Sequence, residues 1–384
     1  MTNEVYITDM ARFLPNAPVG NDDMERILGR VGDKPSRSRR LVLRNNGIET
    51  RYYAIDPETG AFTHNNSRMA AEAVRALAER AGLGLEQVEC LCCGTSGPDQ
   101  IKPAHGHMVH GELGTPPCEV VTTAGVCTSG ITALKYAYMS VALGETTNAV
   151  SAGSEFSSSF MRSNQFQREI EARVDALHKH PHLAFEEDFL RWMLSDGAGA
   201  ALLRNTPNPD RISLRVDWID NLSYAGEMPV CMYSGAVKRE DGSLQGWREV
   251  DDPMEAVSGG YFAVKQDARL LEEHVMHITV SRTLATVARR RGLSPGDVTW
   301  FLPHYSSAYF RQRAYDALVA IDFEIPYERW FTNLSRVGNI GAASMYLILE
   351  ELFYSGRLNK GDTLLCYVPE SARFSSCFMH FTVV

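Results

Sequence analysis

The chain has 384 residues, a net charge of −9 and an apolar fraction of 44%, long enough to bury a large core in two or three units. Its acidic balance argues against a nucleic-acid footprint, and the absence of an apolar run of ~18 residues argues against a membrane span. Met1-Thr2-Asn3-Glu4 opens no signal peptide, and the eight cysteines sit mostly in apolar, strand-like runs; a cytoplasmic, reducing location is expected.

Glu4-Val5-Tyr6-Ile7 begins a strand. From Asn21 to Arg51 the chain is polar and basic, with Arg37, Arg39, Arg40 and Arg44 close together. A solvated loop is the default for such a run, and contact with a phosphate-bearing ligand or acidic carrier the sharper option. Asn66 or Ser67 caps a helix through Met69, Ala73 and Leu77 that ends at Gly82, and Val88 to Cys93 follows as a strand. Cys92 and Cys93 point to opposite faces of that strand and no second CxxC pair follows, so a metal site is not expected there. His105, His107 and His110 lack a carboxylate framework and read as structural.

Val120-Val121-Thr122-Thr123-Ala124-Gly125-Val126-Cys127-Thr128-Ser129-Gly130 then changes from strand-like to helix-like spacing. Cys127 falls at the first turn of the helix, where unpaired N–H groups and the dipole favour a thiolate. A cysteine is by default a small core residue, so downstream partners must support this reading. The helix behind it, through Leu134, Ala137, Val141 and Leu143, is apolar nearly all round and is expected to be buried.

Asn148 to Glu155 returns as a strand. The stretch from about Ser157 to Met193 is polar and aromatic, with a helical piece near Gln165 to Leu177 and the run His178-Lys179-His180-Pro181-His182, read as a solvated connector. Ser195-Asp196-Gly197-Ala198-Gly199-Ala200 is a glycine turn leading into a strand.

The second half echoes the first. Arg80-Ala81-Gly82-Leu83 before Val88 is matched by Arg291-Gly292-Leu293 before Val298, each a helix ending at Gly-Leu, an acidic turn and a new strand. Gly125 to Gly130 is matched by Val337-Gly338-Asn339-Ile340-Gly341-Ala342-Ala343. Such spacing suggests a duplicated α/β unit, divided here as residues 1–205 and 206–384, with helix termini from both halves facing one another.

On these residues the chain resembles the thiolase-fold condensing enzymes, and within them the β-ketoacyl-acyl-carrier-protein synthase III branch. Cys127 matches the family's nucleophile, Leu302-Pro303-His304 the Pro-His that supplies a catalytic histidine, and Val337 to Ser344 the motif that supplies the asparagine, here Asn339. Asp196-Gly197-Ala198-Gly199-Ala200 matches the glycine turn that closes the first half. The resemblance implies an α/β thiolase fold with a duplicated αβαβα layered architecture. It also implies acyl-carrier-protein or coenzyme A thioesters as substrates, no bound cofactor or metal, and a homodimer.

By that resemblance Cys127 takes an acyl group, a malonyl or β-ketoacyl thioester supplies a carbanion, and His304 and Asn339 donate to the enolate oxygen. The family's Pro-His-Gln-Ala-Asn reads Pro303-His304-Tyr305-Ser306-Ser307 here. The tryptophan that lies against the coenzyme A adenine in initiation enzymes has no counterpart in Lys34 to Arg39. The glycine-rich C-terminal loop is replaced by Val368-Pro369-Glu370-Ser371 onward, so a serine amide becomes the expected second oxyanion donor.

Glu155 stands where the family often places an acid near the pocket, with a structural role at a dimer interface as the alternative. A second base there suits relatives that join condensation to ring closure into cyclohexanediones or dialkylresorcinols. Phe160, Met161, Phe166, Phe185, Phe189 and Met193 are candidates to line an acyl tunnel or to pack against a second subunit. Two other thiolase-fold roles compete: acyl transfer to an oxygen or nitrogen acceptor, which Asn339 opposes, and a non-catalytic partner subunit, which Cys127 opposes. A papain-like Cys-His-Asn hydrolase does not suit the internal duplication.

Overall fold

A computed structural model describes residues 2–31, 39–164 and 190–384. The helical piece and histidine run expected between Gln165 and His182 lie outside the described residues, as do Lys34 to Arg37, Phe166, Phe185 and Phe189.

Among the described residues, nine strands form the main sheet. In chain order they are β1 (Tyr6–Phe13), β2 (Cys90–Thr95), β3 (Glu119–Ala124), β4 (Asn148–Glu155), β5 (Gly197–Arg204), β6 (Leu214–Ser223), β7 (Trp300–Pro303), β8 (Thr363–Glu370) and β9 (Ser375–Val383). Their order across the sheet is β7-β8-β9-β6-β1-β5-β4-β2-β3. β1 and β6 meet through just two residue pairs, Tyr6 with Arg215 and Ile7 with Leu214.

The order repeats itself on either side of that junction. In the first half the third, second, fourth, fifth and first strands are neighbours in that sequence. In the second half β7, β8, β9 and β6 stand as second, fourth, fifth and first, and an isolated parallel bridge from Phe301 to Trp330 takes the third place. Directions agree as well: β2 and β4 are parallel like β7 and β8, while β4 and β5 are antiparallel like β8 and β9.

The helices named here are α1 (Asn66–Ala81), α2 (His105–Leu113), α3 (Thr128–Leu143), α4 (Ala268–Met276), α5 (Thr283–Arg291), α6 (Tyr309–Val319) and α7 (Ser344–Phe353). α1 and α5 both end at a left-handed glycine, Gly82 and Gly292, followed by a single 3-10 turn and then β2 or β7. Glycine is what that conformation asks for. The N-cap of α1 is Asn65, whose side chain accepts from the Arg68 N–H, one residue before the expected position.

α3 and α7 are the central pair. Ile131, Leu134, Ala137 and Val141 of α3 share one buried cluster with Met345, Leu347 and Leu349 of α7 and with strand residues of both halves, including Cys92, Ala149, Leu302 and Cys366. The alternate strand positions face outward: Leu91 and Cys93 pack against α1, and Phe301, Leu365 and Tyr367 pack with residues of α4, α5 and α6. Period-two alternation thus sorts Cys92 and Cys93 into different layers, giving the α-β-α-β-α stack of the thiolase fold. A Cβ at Gly130 would stand 2.1 Å from the Ala342 carbonyl oxygen, so glycine is what lets the two halves approach.

Two expectations need correction, and one segment was not anticipated. Leu143 and Met139 are exposed, so α3 is buried only along its inner faces. The basic stretch before Arg51 is not a solvated loop: it holds the short helices Met24–Leu28 and Arg39–Asn46, and Arg51 is fully buried, donating to the Asn21 side chain and the Trp192 carbonyl at 2.6 and 3.2 Å. A polar run that closes a core by pairing its guanidinium internally is not distinguishable from a solvated one by composition. Residues 228–266, which carried no motif, form two small antiparallel strand pairs and a short helix, Pro253–Ser258. Among the described residues no helix is long and apolar enough to cross a membrane.

Candidate active site

Cys127 sits immediately before α3, in helical backbone conformation (φ −62°, ψ −31°), at the end of a turn that leaves β3. Its position agrees with the sequence. Its electrostatics do not. Glu370, the last residue of β8, accepts from the Val126 N–H at 3.0 Å, the Thr128 N–H at 3.2 Å and the Thr128 hydroxyl. The amides expected to favour a thiolate are therefore already occupied by a carboxylate. Burial pushes the Cys127 thiol up, and the charges of Glu370 and Glu155 push it further the same way. Cys127 thus rests as a neutral thiol.

His304 follows β7 and is buried, with its backbone N–H on the Tyr367 carbonyl at 2.8 Å. Burial pulls its imidazole down to about 4, so the ring is neutral at physiological pH, with one N–H and one acceptor nitrogen. Asn339 lies in the turn that precedes α7, the place in the second half that Cys127 holds in the first. Its backbone is tied on both sides, its N–H to the Met193 carbonyl at 3.1 Å and its carbonyl to the Ser195 N–H at 2.9 Å. The side-chain oxygen accepts from the Gly341 N–H at 3.0 Å, which leaves the NH₂ as the group available to a ligand.

Glu155 ends β4 and is buried. One carboxylate oxygen accepts from the Ser96 and Ala342 N–H groups at 3.1 and 3.0 Å, and the other from the Ser96 hydroxyl at 2.5 Å. Burial raises it to about 7 although these bonds oppose the rise, and nearby Asp196 adds to it. A carboxyl poised near neutrality can act as acid or base.

Cys127, Glu155, His304 and Asn339 all line one cavity of about 400 Å³. Two come from each half of the chain. Apolar groups from the described part of the connector after β4 (Phe160, Leu190, Met193) and from α4 and α6 (Leu271, Val275, Phe310) make much of the remaining wall. Ser371 also lines it, consistent in place with the expected serine amide, and its hydroxyl accepts from Gln266 at 3.1 Å. Met232, Tyr233, Phe262 and Val264 come from the segment 228–266. Sequence reasoning missed them because the short strands that carry them have no extended periodicity. Lys265, buried and donating to the Gly260 and Ala263 carbonyls at 2.5 and 3.1 Å, ties this segment inward, and nothing in its local sequence marks it as buried.

His105 is buried in α2 and shares a hydrogen bond of 3.0 Å with Ser154, away from the cavity-lining set. All eight cysteines are free thiols. Among the described residues there is no group of three or more potential metal ligands.

Comparison with known proteins agrees with this fold. The family model for the C-terminal part of 3-oxoacyl-[acyl-carrier-protein] synthase III matches residues 288–368. β-Ketoacyl-[acyl-carrier-protein] synthase III of Chlamydia caviae is 24% identical across 92% of this chain and 89% of its own length. The same enzyme of Cereibacter sphaeroides is 25% identical across 95% of each. Among solved structures, the tetronic acid condensing enzyme AbyA1 superposes with a TM-score of 0.72 at 19% identity, covering 98% of this chain and 99% of AbyA1. A variant of Xanthomonas campestris OleA with bound lauric acid and lauroyl-CoA gives 0.70 at 19% identity, covering both chains fully at 100%.

Proposed function

We propose that this chain, a β-ketoacyl synthase III-like condensing enzyme of the thiolase fold, uses Cys127, His304 and Asn339 to join two thioester-borne acyl groups through a carbon–carbon bond. One observation carries the reading: a thiol and a carboxylate from the first half and an imidazole and a carboxamide from the second share a mostly apolar cavity.

The Cys127 sulfur attacks the carbonyl of an acyl thioester. The sulfur–carbon bond to the carrier breaks, and the cysteine proton ends on the departing thiol, for which the acceptor nitrogen of neutral His304 is a route. A malonyl thioester then loses carbon dioxide, or a β-ketoacyl thioester loses a proton, and an enolate forms. The His304 ring N–H and the Asn339 NH₂ are the donors placed to hold its oxygen. The enolate carbon attacks the acyl-cysteine, a new carbon–carbon bond forms, and Cys127 leaves and regains a proton.

Glu155, near neutrality and on the cavity wall, is proposed as the base for a later ring closure of the condensed product in specialised lipid or polyketide synthesis. The apolar wall suits an alkyl chain, carried by an acyl carrier protein or coenzyme A. A homodimer through β3 is part of the proposal: this strand ends the sheet, and Val120 and Val121 on it are half-exposed. Light scattering on the purified chain tests that assembly.

The experiment for the whole reading is product analysis with a panel of acyl donors and malonyl or β-ketoacyl extenders. A carbon–carbon product that requires Cys127 and Asn339 supports it. Acyl transfer to an oxygen or nitrogen acceptor without such a product overturns it.

A further inference from the structure

The duplicated topology sets Glu370 in the place that Glu155 holds in the first half. Each closes the fourth strand of its unit, β4 or β8. Each also reaches across the pseudo-twofold. Glu155 accepts from the Ala342 N–H in the turn before α7, and Glu370 from the Val126 and Thr128 N–H groups in the turn before α3. These are the turns that carry Asn339 and Cys127. The two carboxylates form a crosswise clamp on the two helix starts.

The pair is asymmetric where chemistry is concerned. Glu155 lines the cavity, whereas Glu370 does not, although its neighbours Pro369 and Ser371 do. The bonds of Glu370 go to the nucleophile's turn, and it is through that turn that it acts. The amides before and after Cys127 are both taken by one carboxylate oxygen. The Thr128 hydroxyl adds a third bond to the same oxygen. On the other side of Glu370, the turn that holds Ser371 is fixed by backbone bonds from Cys231 and Met232 to the Ala372 carbonyl and from Tyr224 to the Phe374 carbonyl. One residue thus fixes the nucleophile's turn to the loop carrying the expected second oxyanion donor.

We propose that Glu370 is a positioning residue for Cys127: it holds the Cys127 and Ser371 amides in register across the two halves and supplies the negative field in which the sulfur must ionise. This rests on Cys127 being the nucleophile. A helix start that would activate a free cysteine is here neutralised by a carboxylate, so the thiol is protected from adventitious reaction and gives up its proton, by way of the His304 acceptor nitrogen, to the departing thiol as it attacks a thioester. The titratable groups around the sulfur are Glu370 from β8, Glu155 from β4 and His304 after β7, with Tyr233 and Tyr305 elsewhere on the cavity wall.

The test is the pH profile of Cys127 alkylation by iodoacetamide, read by peptide mass spectrometry in wild type, Glu370→Gln and Glu370→Ala, with Cys127→Ala as blank and Glu155→Gln alongside. Glutamine keeps an acceptor oxygen for the two amides and removes the charge. The midpoint in Glu370→Gln is expected to fall by about one unit, with alkylation about tenfold faster below it. Acylation from a thioester donor is expected to survive in Glu370→Gln and to fall in Glu370→Ala, which has lost the tie. A Glu370→Gln profile that coincides with wild type overturns the proposal. If the profile shifts but no donor acylates even the wild type, Glu370 keeps its role and the condensing reading falls instead.

Discussion

Glu155 and Glu370 each hold the start of the other half's central helix, Glu155 through the Ala342 N–H at 3.0 Å and Glu370 through the Val126 and Thr128 N–H groups at 3.0 and 3.2 Å. The catalytic candidates Asn339 and Cys127 are thereby set by residues from the opposite half. Neither half can shape the cavity alone.

Gly341 packs directly against one of those carboxylates. Its φ is +44°, and a Cβ there would stand 2.7 Å from the Glu155 carboxylate oxygen. Gly341→Ala is expected to cost about 1–3 kcal/mol through strain and overpacking and to displace Asn339, whose side-chain oxygen takes the Gly341 N–H. Thermal melts and product assays check this. A variant as stable and as active as wild type would show that the contact is slack.

Burial raises Glu155 from the ordinary 4.5 to about 7. A carboxyl raised in the folded state contributes stability that is complete below its unfolded value and is lost as pH rises through the folded one. Relative to Glu155→Gln, the wild type should lose about 3 kcal/mol between pH 4.5 and 7. Denaturant unfolding of both proteins across that range measures it; parallel curves would mean the carboxyl is not perturbed. In the reaction, Glu155→Gln should leave acylation intact and block ring closure. Lost acylation would make Glu155 a support for the Asn339 turn and nothing more.

In the proposed reaction His304 serves both steps, whereas Asn339 acts only after the acyl-enzyme forms. Asn339→Ala should still take up an acyl group but slow release of carbon dioxide from a malonyl thioester by about 100- to 1,000-fold. Single-turnover assays on pre-acylated protein separate the two steps. Equal loss in both would place Asn339 in binding or folding.

Local signals carried much of this into the sequence. Gly82-Leu83 and Gly292-Leu293 end their helices by a backbone conformation that glycine favours, so the duplication could be read directly. Cys127 stands out by its strand-to-helix turn, whereas His304 and Asn339 stand out only through the family resemblance of the segments that carry them. Glu370 belongs to the segment that departs from the family's loop, but its partners Val126 and Thr128 are more than 240 positions away and no local pattern encodes that. For the same reason the helix start at Cys127 read as free when it is capped. Arg51 looked solvated because its partner carbonyl belongs to Trp192, 141 residues on. The wall from 228–266 was missed because two- and three-residue strands leave no period to count.

The account stands or falls on the sulfur of Cys127. Intact-mass spectrometry of wild type and Cys127→Ala, each incubated with acyl-carrier-protein and acyl-coenzyme A donors, measures it directly. The predicted result is a single acyl adduct on the wild type, mapped to the Cys127 peptide, and none on the variant. An adduct that persists on Cys127→Ala, or a wild type that no donor acylates, would contradict it.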